Sequence, residues 1–263
     1  EESGRRIEAV AATDGLQVRL VDMSKALVNV ALQGPRSRET LSGLVFTQRQ
    51  VPALEQLNWF GVTVARLRDR EGAPFMLSRT GYTGELGYEL FCTQSDALQI
   101  WDALMEAGER FGITPMGSDA LDTIRIEAGL AAAGAEFGAA QDAFEAGLGF
   151  AVDLRKPEFF GKEALARNAD APRRLLKGLL FNSNDIPRPG APVMSGERQI
   201  GEITSATRSP YLKRGIAMAR LAIEHAETGT PLEVGMMDGR MKRLPARVTD
   251  VPFVDPKRER ARA

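Results

Sequence analysis

The sequence predicts an α+β protein, in which antiparallel sheets with packed helices precede a small C-terminal β-barrel. Short apolar runs with hairpin-like links fill the first ninety residues. The apolar period then lengthens to three and four residues, as in amphipathic helices. After residue 172 the chain becomes a series of short apolar runs separated by Gly, Pro, Asp and Ser, which is typical of a barrel or sandwich.

Alternating or continuous apolar runs predict strands in the first part of the chain. These runs occupy residues 16–20, 27–32, 60–67, 74–78 and 86–91. A short helix is expected at residues 37–44, after the breaker cluster Gln33-Gly34-Pro35. Apolar residues at helical spacing predict two longer helices, at residues 94–111 and 118–128.

The rest of the chain is predicted to begin with an ordered Ala/Gly-rich loop, a strand at residues 148–152 and a short helix near Gly161. The change in composition after Ala171-Pro172 predicts a domain boundary, which gives domains 1–172 and 173–263. Six apolar runs predict the barrel strands. They lie at residues 175–181, 192–194, 200–203, 216–221, 231–234 and 246–248.

Composition excludes several classes of chemistry. The 34 basic and 35 acidic residues leave no general positive charge for nucleic-acid binding. One Cys and one His do not supply the usual zinc ligands, so we predict no metal site. A Ser–His–Asp triad would depend on His225, which is expected to lie in a solvated loop. The absence of a long apolar run, a secretory signal or a disulfide framework favours a cytoplasmic protein without a membrane partner.

The segment from Ser78 to Leu90 carries the strongest functional signal. Its glycines, at positions 81, 84 and 87, are spaced by three, which does not match a dinucleotide fingerprint. Glu89 then falls between apolar residues of the following strand, so its carboxylate needs a partner. We predict that the loop and strand face a ligand.

With four further segments, this motif resembles the glycine cleavage T-protein (aminomethyltransferase) family and its folate-dependent relatives. The likeness extends over nearly the whole chain, and its segments follow the family's order. Besides residues 79–89, they are residues 31–35, 119–129, 145–149 with 160–165, and 201–205 with Ser209-Pro210.

The resemblance implies a folate-binding α+β domain, a C-terminal barrel, and transfer of a one-carbon unit to tetrahydrofolate. In the T-protein the donor is an aminomethyl group on the lipoyl arm of a carrier protein. The expected partners are therefore folate, a one-carbon donor and a lipoyl carrier.

The resemblance assigns cofactor-binding roles to Glu89, Tyr82, Arg125 and Arg188. Glu89 matches the family's folate-contacting acid, and a carboxylate can accept paired N–H bonds from the pterin ring. The alternative is a strand Glu paired with an Arg or Lys. Tyr82 is expected to stack on the folate or to belong to the core. Arg188 is expected either to reach the site or to lie at a domain interface.

Two departures from the family pattern affect this assignment. Leu121 stands one helical turn before Arg125, where the T-protein usually carries an Arg. Several folate-dependent demethylases and dehydrogenase-fused relatives are similar to this chain in having an apolar residue there, which leaves open a methylated amine, thioether or aryl ether as the donor. The family's catalytic Asp lies in a segment ahead of Glu1, so we expect a further N-terminal portion and assign no catalytic residue here.

A non-catalytic folate-binding protein is the remaining alternative. The iron–sulfur-assembly relative carries Lys-Gly-Cys-Tyr-x-Gly-Gln at the loop, whereas this chain reads Arg-Thr-Gly-Tyr-Thr-Gly-Glu. The missing Cys disfavours that branch.

Overall fold

A computed structural model describes residues 2–169, 172–237, 239 and 242–263. The chain forms two compact units. The first contains residues 1–81 and 85–114, and the second contains residues 82–84 and 115–263. The predicted domain boundary near residue 172 adjoins residues 170 and 171, which lie outside the described residues, and it stays a prediction.

The first unit is built on an antiparallel five-stranded sheet in the order β1-β5-β4-β3-β2. Its strands are β1 (Leu27–Gln33), β2 (Val45–Phe46), β3 (Val62–Leu67), β4 (Pro74–Ser78) and β5 (Gly87–Thr93). Its helices are α1 (Glu2–Thr13), α2 (Ser37–Leu41) and α3 (Ala97–Gly108).

The alternation of β5 explains how this sheet is covered. Tyr88, Leu90 and Cys92 are buried in a core shared with α3, whereas Glu89 and Phe91 point to the opposite face. Burial of one apolar face in this way sets the strand register.

The second unit contains a closed barrel in the order β10-β11-β6-β9-β8-β7. Its strands are β6 (Arg174–Phe181), β7 (Pro192–Ser195), β8 (Arg198–Ser209), β9 (Arg214–Ala222), β10 (Pro231–Gly235) and β11 (Arg243–Thr249). Its helices are α4 (Ser118–Glu127), α5 (Lys162–Ala169) and α6 (Glu259–Arg262). Helix α4 packs against β8 and β9. The predicted α+β class with a C-terminal barrel is confirmed.

Two predicted strands were wrong. Residues 16–20 form no strand, and their apolar side chains are exposed, because no strand within the described part of the chain pairs with them. Residues 148–152 instead contain a 3-10 turn at Gly149–Ala151. The backbone N–H groups of Leu148 and Val152 donate to carbonyls of this same loop, which removes the need for a strand partner.

Candidate functional site

The glycine loop is shaped around the side chain of Gln33. The Gln33 Nε2 donates to the carbonyl oxygens of Thr80 at 3.2 Å and Tyr88 at 3.3 Å. A β-carbon on either Gly81 or Gly87 would overlap the amide of Gln33. Glycine at these two positions lets the polar end of Gln33 approach the backbone closely without being displaced.

Glu89 lies on the outer face of β5 with one hydrogen bond to each carboxylate oxygen. Asn29 Nδ2 donates to Oε1 at 2.6 Å, and the Thr80 hydroxyl donates to Oε2. Both donors are neutral, and within the described residues no Arg or Lys pairs with Glu89. The carboxylate is therefore oriented by the protein without being neutralised by it.

An apolar row lies beside Glu89 on the same face of the sheet. In the strand register Phe91 stands opposite Met76, and Met76 stands opposite Val64. Met76 is 40% exposed and Val64 is 63% exposed. An accessible apolar surface next to an oriented carboxylate offers contacts to a ring that presents N–H groups along one edge.

Tyr82 belongs to the second unit. Its hydroxyl donates to the carbonyl oxygen of Ala131 at 2.8 Å, while the residue remains 38% exposed. Burial of the hydroxyl raises the pKa of Tyr82, and the nearby positive charge of Arg125 opposes that shift. This hydrogen bond therefore anchors the hydroxyl end of a side chain that stays partly accessible.

Arg125, on α4, is buried and directs all its guanidinium nitrogens at protein groups. Nε donates to Asp122 at 2.8 Å, Nη1 donates to Glu136 at 2.7 Å, and Nη2 donates to Ser205 at 2.6 Å. Burial by itself lowers the pKa of Arg125, but hydrogen bonds with Asp122 and the charge of Glu136 outweigh it and raise the pKa. This arrangement ties α4 to the following loop and to β8.

Tyr82 and Arg125 meet at the same loop. Arg125 Nη1 also donates to the Leu130 carbonyl oxygen at 3.2 Å, and the neighbouring Ala131 carbonyl accepts the Tyr82 hydroxyl. The structure therefore gives Arg125 internal partners that hold the backbone under Tyr82, and direct contact of Arg125 with a cofactor stays a prediction.

Arg188 lies in the exposed connection between β6 and β7. Its carbonyl accepts a hydrogen bond from the Ala191 N–H, and its side chain has no polar partner within the described residues. Leu121, also in the second unit, is 36% exposed on α4. The proposed cofactor roles of Arg188 and the other three residues stay predictions.

Four residues that the sequence analysis did not assign take part in these networks. They are Asn29, Thr80, Glu136 and Ser205. Glu136 is fully buried within an Ala/Gly-rich stretch. A lone acid among small apolar residues is a signal in the sequence that could have predicted a buried, paired carboxylate. Asn29 interrupts an apolar run, but its partner is 60 residues away in sequence.

The described part of the chain offers neither a metal-binding cluster nor a membrane-spanning helix. Within the described residues, no group of three or more His, Cys, Asp and Glu side chains is placed to hold a metal ion. In the same part of the chain, no helix has the length and apolar character needed to cross a membrane.

Comparison with known proteins identifies the family. The model of the GCVT N-terminal domain matches residues 3–156, and that of the glycine cleavage T-protein C-terminal barrel domain matches residues 173–255. The chain belongs to the glycine cleavage T-protein family. The predicted resemblance is confirmed.

Among curated T-protein relatives, a trimethylamine-oxide aldolase of Ruegeria pomeroyi is 47% identical over 262 residues, covering 99% of this chain and 33% of that protein. An aminomethyltransferase of Symbiobacterium thermophilum is 40% identical over 243 residues, covering 90% of this chain and 61% of that protein. The chain thus spans one third of the length of the first relative and less than two thirds of the length of the second.

A solved structure has the same fold. The crystal structure of the glycine cleavage system aminomethyltransferase T from Bartonella henselae matches with a TM-score of 0.74 and 26% sequence identity. The match covers 88% of this chain and 60% of that chain.

Proposed function

We propose that this chain binds tetrahydrofolate and acts as the folate-binding part of an aminomethyltransferase that transfers a one-carbon unit to it. The observation that carries the proposal is the Glu89 carboxylate, which two neutral donors orient on an accessible face. An ionised carboxylate has about four acceptor positions, so two such donors leave room for a ligand.

The pterin of tetrahydrofolate fits this donor set. Its ring N–H and 2-amino group are parallel donors, which match the two oxygens of Glu89. The apolar side chains of Phe91 and Met76 lie next to Glu89 in the register and offer a surface for the ring. Tyr82 and Arg188 are proposed as further contacts with the cofactor, and Arg125 as a contact or as the support of the loop under Tyr82.

Folate binding is the direct test of this proposal. Titration of the intact polypeptide with 5-formyltetrahydrofolate is expected to show saturable binding and a rise in the melting temperature. Glu89→Gln should weaken binding by about 1–3 kcal/mol, because one ligand donor loses its acceptor. The control is Glu106→Gln, which changes an exposed acid that pairs with Arg68. Equal affinity in wild type and Glu89→Gln would remove Glu89 from the site.

A second candidate keeps folate but takes the one-carbon unit from a methylated amine. It is favoured by the 47% identity to a protein named trimethylamine-oxide aldolase and by Leu121 at the position where the T-protein usually has an Arg. Incubation with ¹³C-labelled trimethylamine oxide, or with an aminomethyl-loaded lipoyl carrier, should transfer label to tetrahydrofolate from one donor only. Label from the carrier alone would exclude the amine donor.

The proposal includes three further elements. A lipoyl carrier protein is the expected partner if the donor is an aminomethyl group. The folate-binding domain is proposed to end near residue 172, between the ranges of the two family models. A cytoplasmic location is consistent with a single cysteine, since reducing compartments rarely use disulfides.

A further inference from the structure

We infer that Asn29 is a positioning residue that sets the orientation of the Glu89 carboxylate for recognition of the pterin 2-amino group. The inference rests on the proposed folate binding and adds a residue to that site. It starts from the 2.6 Å hydrogen bond between Asn29 Nδ2 and Glu89 Oε1.

The register of the sheet brings this contact about. Glu89 stands opposite Ala31, and Asn29 lies two residues before Ala31 on the same outward face of β1. Asn29 and Glu89 are therefore diagonal neighbours, a separation that long polar side chains can bridge. Residues 27–32 are otherwise apolar, so Asn29 supplies the one polar side chain of that run at the position next to the acid.

The chemistry of the two groups fixes the direction of the hydrogen bond. An ionised carboxylate only accepts, so the amide nitrogen, not the amide oxygen, must face Glu89. The terminal torsion of a Glu side chain is broad and poorly restrained by its own rotamer preferences. Asn29 on Oε1 and Thr80 on Oε2 hold that torsion from both sides. Pre-orienting an acceptor pair in this way reduces the ordering cost when a ligand with two parallel N–H groups binds.

The neutrality of Asn29 is as important as its position. A Lys or Arg at this place would take the carboxylate into an ion pair and compete with the ligand. An Asp would put a second carboxylate beside Glu89 and repel it. Asn has the same size as Asp, donates a hydrogen bond to Glu89, and leaves the negative charge of Glu89 unpaired for the ligand.

The experiment measures binding of two probes to the intact polypeptide by calorimetry. The probes are 5-formyltetrahydrofolate and the analogue in which hydrogen replaces the 2-amino group. The variants are Asn29→Asp, which has nearly the same shape but no donor, and Asn29→Leu, which has neither donor nor charge. The control is Leu27→Ala, an exposed residue on the same strand.

Wild type is expected to prefer the 2-amino probe by about tenfold or more. Asn29→Asp and Asn29→Leu should each lose about tenfold in affinity for that probe and most of the preference, while Leu27→Ala retains both. A purely structural role would weaken both probes equally and keep the preference. Unchanged affinity and preference in either folded Asn29 variant overturns the inference and leaves folate binding intact. Failure of wild type to bind 5-formyltetrahydrofolate overturns both the inference and the proposed function.

Discussion

The amide of Gln33 occupies the space that a β-carbon on Gly87 would need. Gln33 also lies against Gly81 and donates to two backbone carbonyls of this region. The motif Gln33-Gly34-Pro35 and the glycine loop are therefore two halves of one packing arrangement. The glycines at positions 81 and 87 leave room for the Gln33 side chain to lie against the backbone of the loop.

Replacing Gly87 by Ala should lower the free energy of unfolding by about 1–3 kcal/mol, because the added methyl group would displace the Gln33 amide from the two backbone carbonyls to which it donates. Denaturant unfolding measures this change. If Gln33 is the cause, the double variant Gly87→Ala/Gln33→Ala should cost less than the sum of the single changes. The control is Gly138→Ala, whose new β-carbon would meet only Gln141 Oε1 at 3.6 Å. Strict additivity would show that the overlap with Gln33 is not responsible.

Replacing Arg125 by Leu should destabilise the second unit by about 3–5 kcal/mol, because Glu136 would be left as a buried charge without a counter-ion. The double variant Arg125→Leu/Glu136→Leu should recover part of that loss. Asp122→Ala is the control, since the Asp122 side chain is 58% exposed and its ion pair should contribute less than about 1 kcal/mol. Thermal and denaturant unfolding would detect the order of these effects, and equal losses for Asp122→Ala and Arg125→Leu would contradict it.

Alkaline pH should reduce the stabilising effect of Tyr82. Burial raises its pKa above the ordinary value near 10, so the folded phenol keeps its proton when the unfolded phenol loses it. The contribution of Tyr82 is therefore complete below that ordinary value and falls as the pH rises through the folded pKa. The difference in unfolding free energy between wild type and Tyr82→Phe should shrink above about pH 10. A difference that stays constant from neutral to strongly alkaline pH would refute this.

Cys92 should react slowly with thiol reagents in the folded protein. It is the only cysteine of the chain, and it is buried in β5. Burial raises the pKa of the Cys92 thiol, and the negative charge of Asp96 raises it further. The reactive thiolate is therefore scarce and shielded. Reaction with Ellman's reagent should accelerate strongly when denaturant unfolds the sheet. Rapid labelling under native conditions would mean that β5 opens far more readily than its burial indicates.

Each of the six predicted barrel strands overlaps a strand of the structure, because the segments between the apolar runs contain the turn-forming residues Gly, Pro, Asp and Ser. Local signals were insufficient at residues 16–20, where the alternating pattern is real but has no strand partner within the described residues. They were also insufficient at residues 148–152, where local turn bonds satisfy the backbone. A strand depends on its neighbours as well as on its own pattern.

The candidate site divides in the same way. Sequence reasoning selected Glu89 and required a partner for it, since an acid in an apolar strand cannot be left unpaired. It did not identify Asn29 or Thr80 as that partner, because their contacts depend on the register and on the shape of the loop. Likewise, the sequence predicts a cofactor role for Arg125, whereas its internal partners Glu136 and Ser205 are set by the packing of the second unit.

By itself, the sequence determined the family, the α+β class with its barrel, and the alternation along β5. That alternation places Glu89 on the face of the sheet that points away from the core. Only the tertiary structure decided which groups orient that carboxylate and why Gly81 and Gly87 are glycines. The physical reason is that strand faces follow from local periodicity, whereas hydrogen-bond partners distant in sequence meet only after the sheet has packed and its register is set.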